Sequence, residues 1–306
     1  MGQTAVALPQ GFAARSPRAE DAPAVAALLR ATELQDFGEA EAEPGELGAD
    51  WETFDLPRDA VLVVGRDGRP AGYGYFFRRG EGQAIVDAYV DPRDAGRGIG
   101  SYLLAELERR AGDIERLGCG IAASNAAARG LLEARGYRFV RRFWRMTIEL
   151  QRHPPAPVWP EGIVPTRYLA SDERAIWAAI EEAFRDHWEY HPEQYEEWRR
   201  RTVDRPGFDP TLVVVAKDGA EVAGVTLCRK QPRFARVDTL AVRRAWRRRG
   251  LARALTLEVL GELYRRGETK VVLNVDSESL TGATQLYLQV GMAVTREIDA
   301  FEKVLR

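Results

Sequence analysis

The chain has 306 residues, 45% of them apolar and 29% charged, a composition that excludes a disordered polypeptide and a length that suits two domains. A formal net charge of −2 excludes a general nucleic-acid coat while leaving room for a local anion site. Cys119 and Cys228 offer neither a disulfide framework nor paired metal-ligand spacing, which suits a reducing compartment. The longest apolar runs, such as 61–64 and 212–216, fall far short of the roughly 20 residues that span a bilayer. Val6 stands where a myristoylation signal needs Ser or Thr, and no basic-then-apolar leader opens the chain, so the expectation is a cytoplasmic protein without a membrane partner.

In chain order, the acidic stretch 39–46 with Pro44 and Gly45 reads as a surface loop of the first domain. His153 to Pro160 holds four prolines in eight residues, which removes backbone donors and favours an extended connector. The expected division is therefore a domain over 1–152, a linker over 153–161 and a second domain over 162–306. In the second, the pattern predicts a helix over 172–185 capped by Ser171 and another over 192–201. Strands over 211–216 and 222–228 flank Asp218-Gly219, a hairpin signal. A strand over 235–242, a helix over 250–266 and a strand over 269–275 make a β-loop-α-β unit, which sets its two strands parallel. A helix over 281–289, ended by Gly291, and a strand over 293–304 close the half.

The two halves repeat one plan. Val90 to Gly100 aligns without gaps on Val242 to Ala252, and Leu131-Leu132 with Gly136-Tyr137 aligns on Leu286-Tyr287 with Gly291-Met292. In the second copy, Arg247-Arg248-Arg249-Gly250-Leu251-Ala252 joins a strand to a helix. Glycine admits close backbone approach there, and the free N–H groups of a first helical turn bind phosphate. Six arginines lie between Arg243 and Arg253, and guanidinium groups suit phosphate oxygens. The same cluster would also serve as a solvated basic face.

Leu240-Ala241-Val242, Arg247-x-x-Gly250-x-Ala252, Ser279-Leu280-Thr281-Gly282-Ala283 and Leu286-Tyr287 with Gly291-Met292 resemble the acyl-CoA-binding core of the GNAT acetyltransferase superfamily. The first half resembles it through Tyr89-Val90, Gly98-x-Gly100, Asn125-x-x-Ala128, Leu131-Leu132-Glu133 and Gly136-Tyr137. The whole is similar to tandem members with the layout of the mycothiol synthases. The resemblance implies an α/β (α+β) fold of two tandem domains, each a mixed, mostly antiparallel twisted sheet with helices on both faces. It implies that Arg247, Arg248, Arg249, Gly250, Leu251 and Ala252 hold the CoA pyrophosphate, with Ser279 and Thr281 nearby. It implies that Leu240, Ala241 and Val242 pair with the pantetheine arm and orient the acyl carbonyl, and that Tyr287 protonates the departing thiolate. Ser279 departs from the usual Asn. In the first half Ala95 stands for the Arg and Leu132 for the Tyr, so no transfer is expected there.

An alkyl amine, with a pKa near about 10.4, must lose a proton before it attacks, and a thiolate leaving group gains from receiving one. Asp238 shares even spacing with Leu240 and Val242 and is the candidate base, with Asp276 or Glu278 through water as alternatives, while a structural or surface role would account for each of these carboxylates as well. The ring-rich segment His187-Trp188-Glu189-Tyr190 is the expected acceptor pocket, though two amphipathic helices packed through rings would read the same way. His187 and His191 lack a third ligand, and Pro192 interrupts their helix, so no metal is expected.

The expected activity is transfer of an acetyl or short acyl group from acetyl-CoA, as donor substrate, to a primary amine of a small molecule or peptide. Acetylation of a sugar-linked cysteine amine, and acyl-CoA sensing without turnover, are the competing readings. No nucleic-acid partner is expected, and monomer and homodimer stay open.

Overall fold

The computed structural model describes residues 6–52, 54–79, 82–188, 190–205, 207–279 and 281–305. In chain order, the first stretch forms β1 (Phe12–Arg15), α1 (Ala22–Phe37), α2 (Pro44–Trp51), α3 (Leu56–Asp59), β2 (Ala60–Gly65), β3 (Pro70–Arg78), β4 (Gln83–Val90), α4 (Ile99–Ala111), β5 (Arg116–Ala122), α5 (Ala126–Ala134) and β6 (Arg138–Glu149). The remainder forms β7 (Ile163–Arg167), α6 (Glu173–Phe184), α7 (Tyr195–Thr202), β8 (Val213–Asp218), β9 (Glu221–Lys230), β10 (Ala235–Val242), α8 (Leu251–Arg265), β11 (Lys270–Asp276), α9 (Ala283–Gln289) and β12 (Ala293–Val304). No helix among the described residues is long and apolar enough to cross a membrane. The acidic stretch expected as a loop gives way at Pro44 to α2, consistent with proline's fitness for a first helical turn. The helix expected from a Ser171 cap instead follows a 3-10 turn over Ala170–Asp172, with Asp172 preceding it.

The chain forms two compact units, one up to Arg142 together with the stretch from Arg296 onward, the other Phe143–Thr295. This differs from the division expected at 153–161, and strand pairing explains why. The strand expected to close the second half, β12, pairs antiparallel with β5 of the first unit, from Ile298 opposite Ala122 to Val304 opposite Arg116. Conversely β6 runs on into the second unit, where Phe143 to Glu149 pair with Asp276 to Lys270 of β11. Each unit thus takes its last strand from the other half of the sequence, and the proline-rich stretch lies within the second unit.

In the first unit the strand order is β1-β2-β3-β4-β5-β12, with α4 over one face and α1 and α2 over the other. In the second it is β7-β8-β9-β10-β11-β6, with α8 and α9 over one face and α6 and α7 over the other. Within each unit the only parallel neighbours among the described residues are β4 with β5 and β10 with β11. Each is a β-α-β crossover, through α4 and α8 respectively, as short local connections dictate.

β12 is held in the first unit by its side chains as well as its ladder. Phe301 is fully buried in the core beneath α4. Asp299, also fully buried, accepts from Arg142 Nε at 2.6 Å and from Arg129. Removing the Phe301 ring should destabilise the fold by about 3–5 kcal/mol. Hydrogen exchange on Phe301→Ala should show protection falling first in β5; a first loss in β11 would contradict this pairing.

Candidate functional site

The second unit contains a groove of about 1110 Å³, and its origin lies in the sheet. β10 and β11 pair only at Ala235 with Val271 and Arg236 with Val272. Beyond that point β11 follows β6, and β10 follows β9 through Thr239 to Val242. The two parallel strands therefore part, and the inner edge of β10 carries backbone groups without a strand partner. Leu240 and Val242 line one wall, Leu273 and Val275 the other.

The face argument used for Asp238 fails at this place for a specific reason. The ladder with β9 skips from Val237 opposite Cys228 to Thr239 opposite Leu227, so Asp238 is the extra residue of a β-bulge. Ala235 and Val237, rather than the even-numbered residues before the bulge, share the core of Leu240. Asp238 still lines the groove, with Arg229 Nη2 donating to it at 2.9 Å. Ala241 turns away from the groove into the core beneath α6.

At the mouth of the groove stands the first turn of α8. Gly250 precedes it with φ 87° and Arg248 with φ 63°, the sole non-glycine in the left-handed region among the described residues. A left-handed L-residue costs about 1–2 kcal/mol. The strain is sustained by anchors beneath the loop. Arg247 donates to the Val242 carbonyl at 3.1 Å, to Asp186 at 2.7 Å and to the Ala183 carbonyl at 2.9 Å. Arg243 donates to Glu182 at 2.7 Å, and Arg244 pairs with Asp186. Hydrogen bonds from Arg244 and Arg247 hold the Asp186 carboxyl far below its ordinary pKa. Three of the six arginines thus tie the loop to the end of α6. Arg248, Arg249 and Arg253 have no side-chain partner among the described residues, and Arg248 and Arg253 line the groove beside Gly250, Leu251 and Ala252. Free helix N–H groups together with unpaired guanidinium groups are chemically suited to an anion.

Ser279 and Thr281 also line the groove, with a 2.9 Å contact between their hydroxyls. Tyr287, on α9, is 7% exposed and lines it too. Burial pushes its pKa up, so its phenol stays protonated at neutral pH, and its hydroxyl has no partner among the described residues. His187 and Trp188 line the side nearest α6. His187 stacks on Phe184 at 4.4 Å, and burial, then the charge of Arg247, lowers its pKa. Tyr190 donates instead to Glu181 and is not in the groove wall. Glu189 lies outside the described residues. Among the described residues, no group of three His, Cys, Asp or Glu could hold a metal ion.

Sequence reasoning missed Phe143, whose ring lies 6.3 Å from that of Trp188. Phe143 belongs by position to the first half, and only the strand exchange brings it here. Arg253 was legible only as one of a run of arginines, although its place one turn into α8 was a usable signal.

The first unit repeats the frame with different side chains. Gly96 and Gly98, with φ 75° and 86°, stand where Arg248 and Gly250 do. Its loop arginines are occupied: Arg93 donates to Asp91 at 2.6 Å, and Arg97 to Asp94 at 2.7 Å. Leu132, buried, stands where Tyr287 does. On the other face Tyr75 donates to Asp87 at 2.9 Å, and burial raises the Asp87 pKa to about 6. The folded state then holds that proton more tightly than the unfolded chain, so stability falls as pH rises from about 4 to about 6. Asp87→Asn should therefore gain about 2–3 kcal/mol at pH 7.5 and little at pH 4 in paired urea melts; equal gains at both would refute the burial argument.

The family and the fold both recur in known proteins. The family described as Acetyltransferase (GNAT) family matches residues 26–137 and 174–292. A mycothiol acetyltransferase of Streptomyces scabiei is 31% identical over 90% of this chain and 89% of its own. One from Geodermatophilus obscurus is 32% identical over 88% and 89%. The crystal structure of a GCN5-related N-acetyltransferase from Sphaerobacter thermophilus superposes with TM-score 0.89 at 38% identity, covering 98% of each chain. A tandem GNAT protein from the clavulanic acid biosynthesis pathway shares the fold at TM-score 0.76 and 18% identity, covering 96% of this chain and 98% of its own.

Proposed function

Because the chain belongs to the GNAT acetyltransferase family and is an acetyl-CoA-dependent acyltransferase, we propose that its groove in the second unit transfers an acetyl group directly to a primary amine. The observation that carries this reading is the meeting, in one groove, of an unpaired strand edge, a helix N-terminus with free arginines, and a buried tyrosine.

The anion site at Arg248 to Ala252 suits the donor's pyrophosphate, and the parted edge of β10 suits its extended, amide-bearing arm. Backbone N–H groups near Leu240 to Val242 would polarise the thioester carbonyl as the amine nitrogen adds to it. When the carbon–sulfur bond breaks, the electron pair leaves on sulfur and the Tyr287 phenol supplies the proton. Two groups in the groove suit receipt of the amine's proton: Asp238, and His187, whose lowered pKa keeps its imidazole neutral. Proximity in a ternary complex supplies much of the rate, and no covalent enzyme intermediate is required. In the first unit the occupied arginines and Leu132 argue for a structural partner without turnover. The mycothiol acetyltransferases among the relatives favour a second reading of the acceptor, a sugar-linked cysteine amine.

Tyr287→Phe should lower kcat about a hundredfold or more while acetyl-CoA binding by calorimetry stays within about twofold. Gly250→Glu should abolish that binding, because a side chain at φ 87° is strained and its carboxylate meets the phosphates. Full turnover in the first variant, or full binding in the second, would overturn this reading.

A further inference from the structure

The bulge gives Asp238 a second neighbourhood. It lines both the groove and a smaller cavity of about 170 Å³, whose walls include Arg201, Arg205, Arg229, Phe208, Leu227 and Cys228. Arg201 is held by both oxygens of Glu193 at 2.8 Å. Arg229 donates through Nη2 to Asp238, while its Nε is buried with no partner. Arg205 is exposed and has no partner among the described residues. The lining thus holds three guanidinium groups, of which Arg201 is paired with Glu193 and Arg229 with Asp238, leaving Arg205 and the Arg229 Nε without an acceptor among the described residues. A buried N–H of a cation without an acceptor is unfavourable, and an entering anion would satisfy it.

We infer that this cavity receives an anionic group, carboxylate or phosphate, carried by the acceptor amine, and so sets which amines present their nitrogen in the groove. The inference rests on the acyltransferase reading above and adds the class of acceptor. Arg205 and the Arg229 Nε bind the anion, and Asp238 at the junction faces the ammonium end before it loses its proton. The small volume suits a charged head group rather than a bulky neutral ring. A zwitterionic or phosphorylated amine therefore fits better than an uncharged one.

The test is acetyl transfer from acetyl-CoA to three series of primary amines: ω-amino carboxylates up to 6-aminohexanoate, aminoalkyl phosphates beginning with O-phosphoethanolamine, and n-alkylamines. Wild type and Arg205→Ala are compared, with Arg200→Ala, an exposed change on α7 outside both cavities, as control. Wild type should favour one anionic series over the alkylamines about tenfold or more in kcat/KM. Arg205→Ala should erase most of that preference through KM, and Arg200→Ala should keep it. A carboxylate preference and a phosphate preference identify the two sources of the anion, and either supports the inference. No preference in wild type, or a preference untouched by Arg205→Ala, overturns it. Calorimetric titration of 6-aminohexanoate and O-phosphoethanolamine into the protein, with and without CoA, reads the anion site even if no amine is acetylated. Binding lost in Arg205→Ala supports it and silence overturns it, whereas silence toward acetyl-CoA would defeat the donor reading separately.

Discussion

β10 and β11 share only two residue pairs before they separate, and a sheet interior does not leave backbone amides dry and unpaired without cost. The consequences run through the whole second unit. The parted edge calls for something with its own donors and acceptors, in extended form and narrow enough to lie between two strands. At the open end the chain must turn into α8, so the positive end of a helix falls at the mouth of the same opening. The turn is tight enough to force Arg248 into a left-handed conformation. Glu182 and Asp186 at the end of α6 hold it there through Arg243, Arg244 and Arg247. Cleft, helix end and anchor form one connected arrangement rather than three separate motifs.

The same backbone arrangement in the first unit separates frame from chemistry. There too β4 and β5 part, after three residue pairs, and a helix begins at the opening. Yet the carboxylates of Asp91 and Asp94 are buried inside the loop and take up the local arginines. The two openings therefore share a backbone frame and differ in their side chains. What distinguishes the two openings is whether the guanidinium groups are already satisfied, and that follows from a few side chains, not from the fold.

Much of this was legible in sequence because the signals were local. Gly250 before an apolar helix, the parallel strands flanking it, and Gly291 ending α9 each depend on residues a few positions apart. The internal repeat made the Arg-Gly loop more than a coincidence of composition. What was hidden depends on pairing between distant segments. The bulge at Asp238 is visible only against Cys228 and Leu227 of β9, and it overturned an argument from even spacing. Nothing in the pattern of β12 says that Phe301 belongs beneath α4 rather than beside β11, since an apolar face fits either sheet. The role of Arg247 as an anchor, rather than as a free cation, depended likewise on Asp186, 61 residues away.

The exchange of end strands also bears on how the chain is made. β5 gains its neighbour β12 only when residues 298–304 exist, long after β5 itself has been made. A nascent first half, however well its early strands pair, must leave an open edge at β5 while the second half is still being translated. Cutting the gene at the proline-rich stretch would not yield two self-sufficient products, because each fragment would carry a strand fitted to the other. A boundary drawn for two compact units therefore cannot follow the repeat in the sequence, because each unit is completed by a strand encoded in the other half.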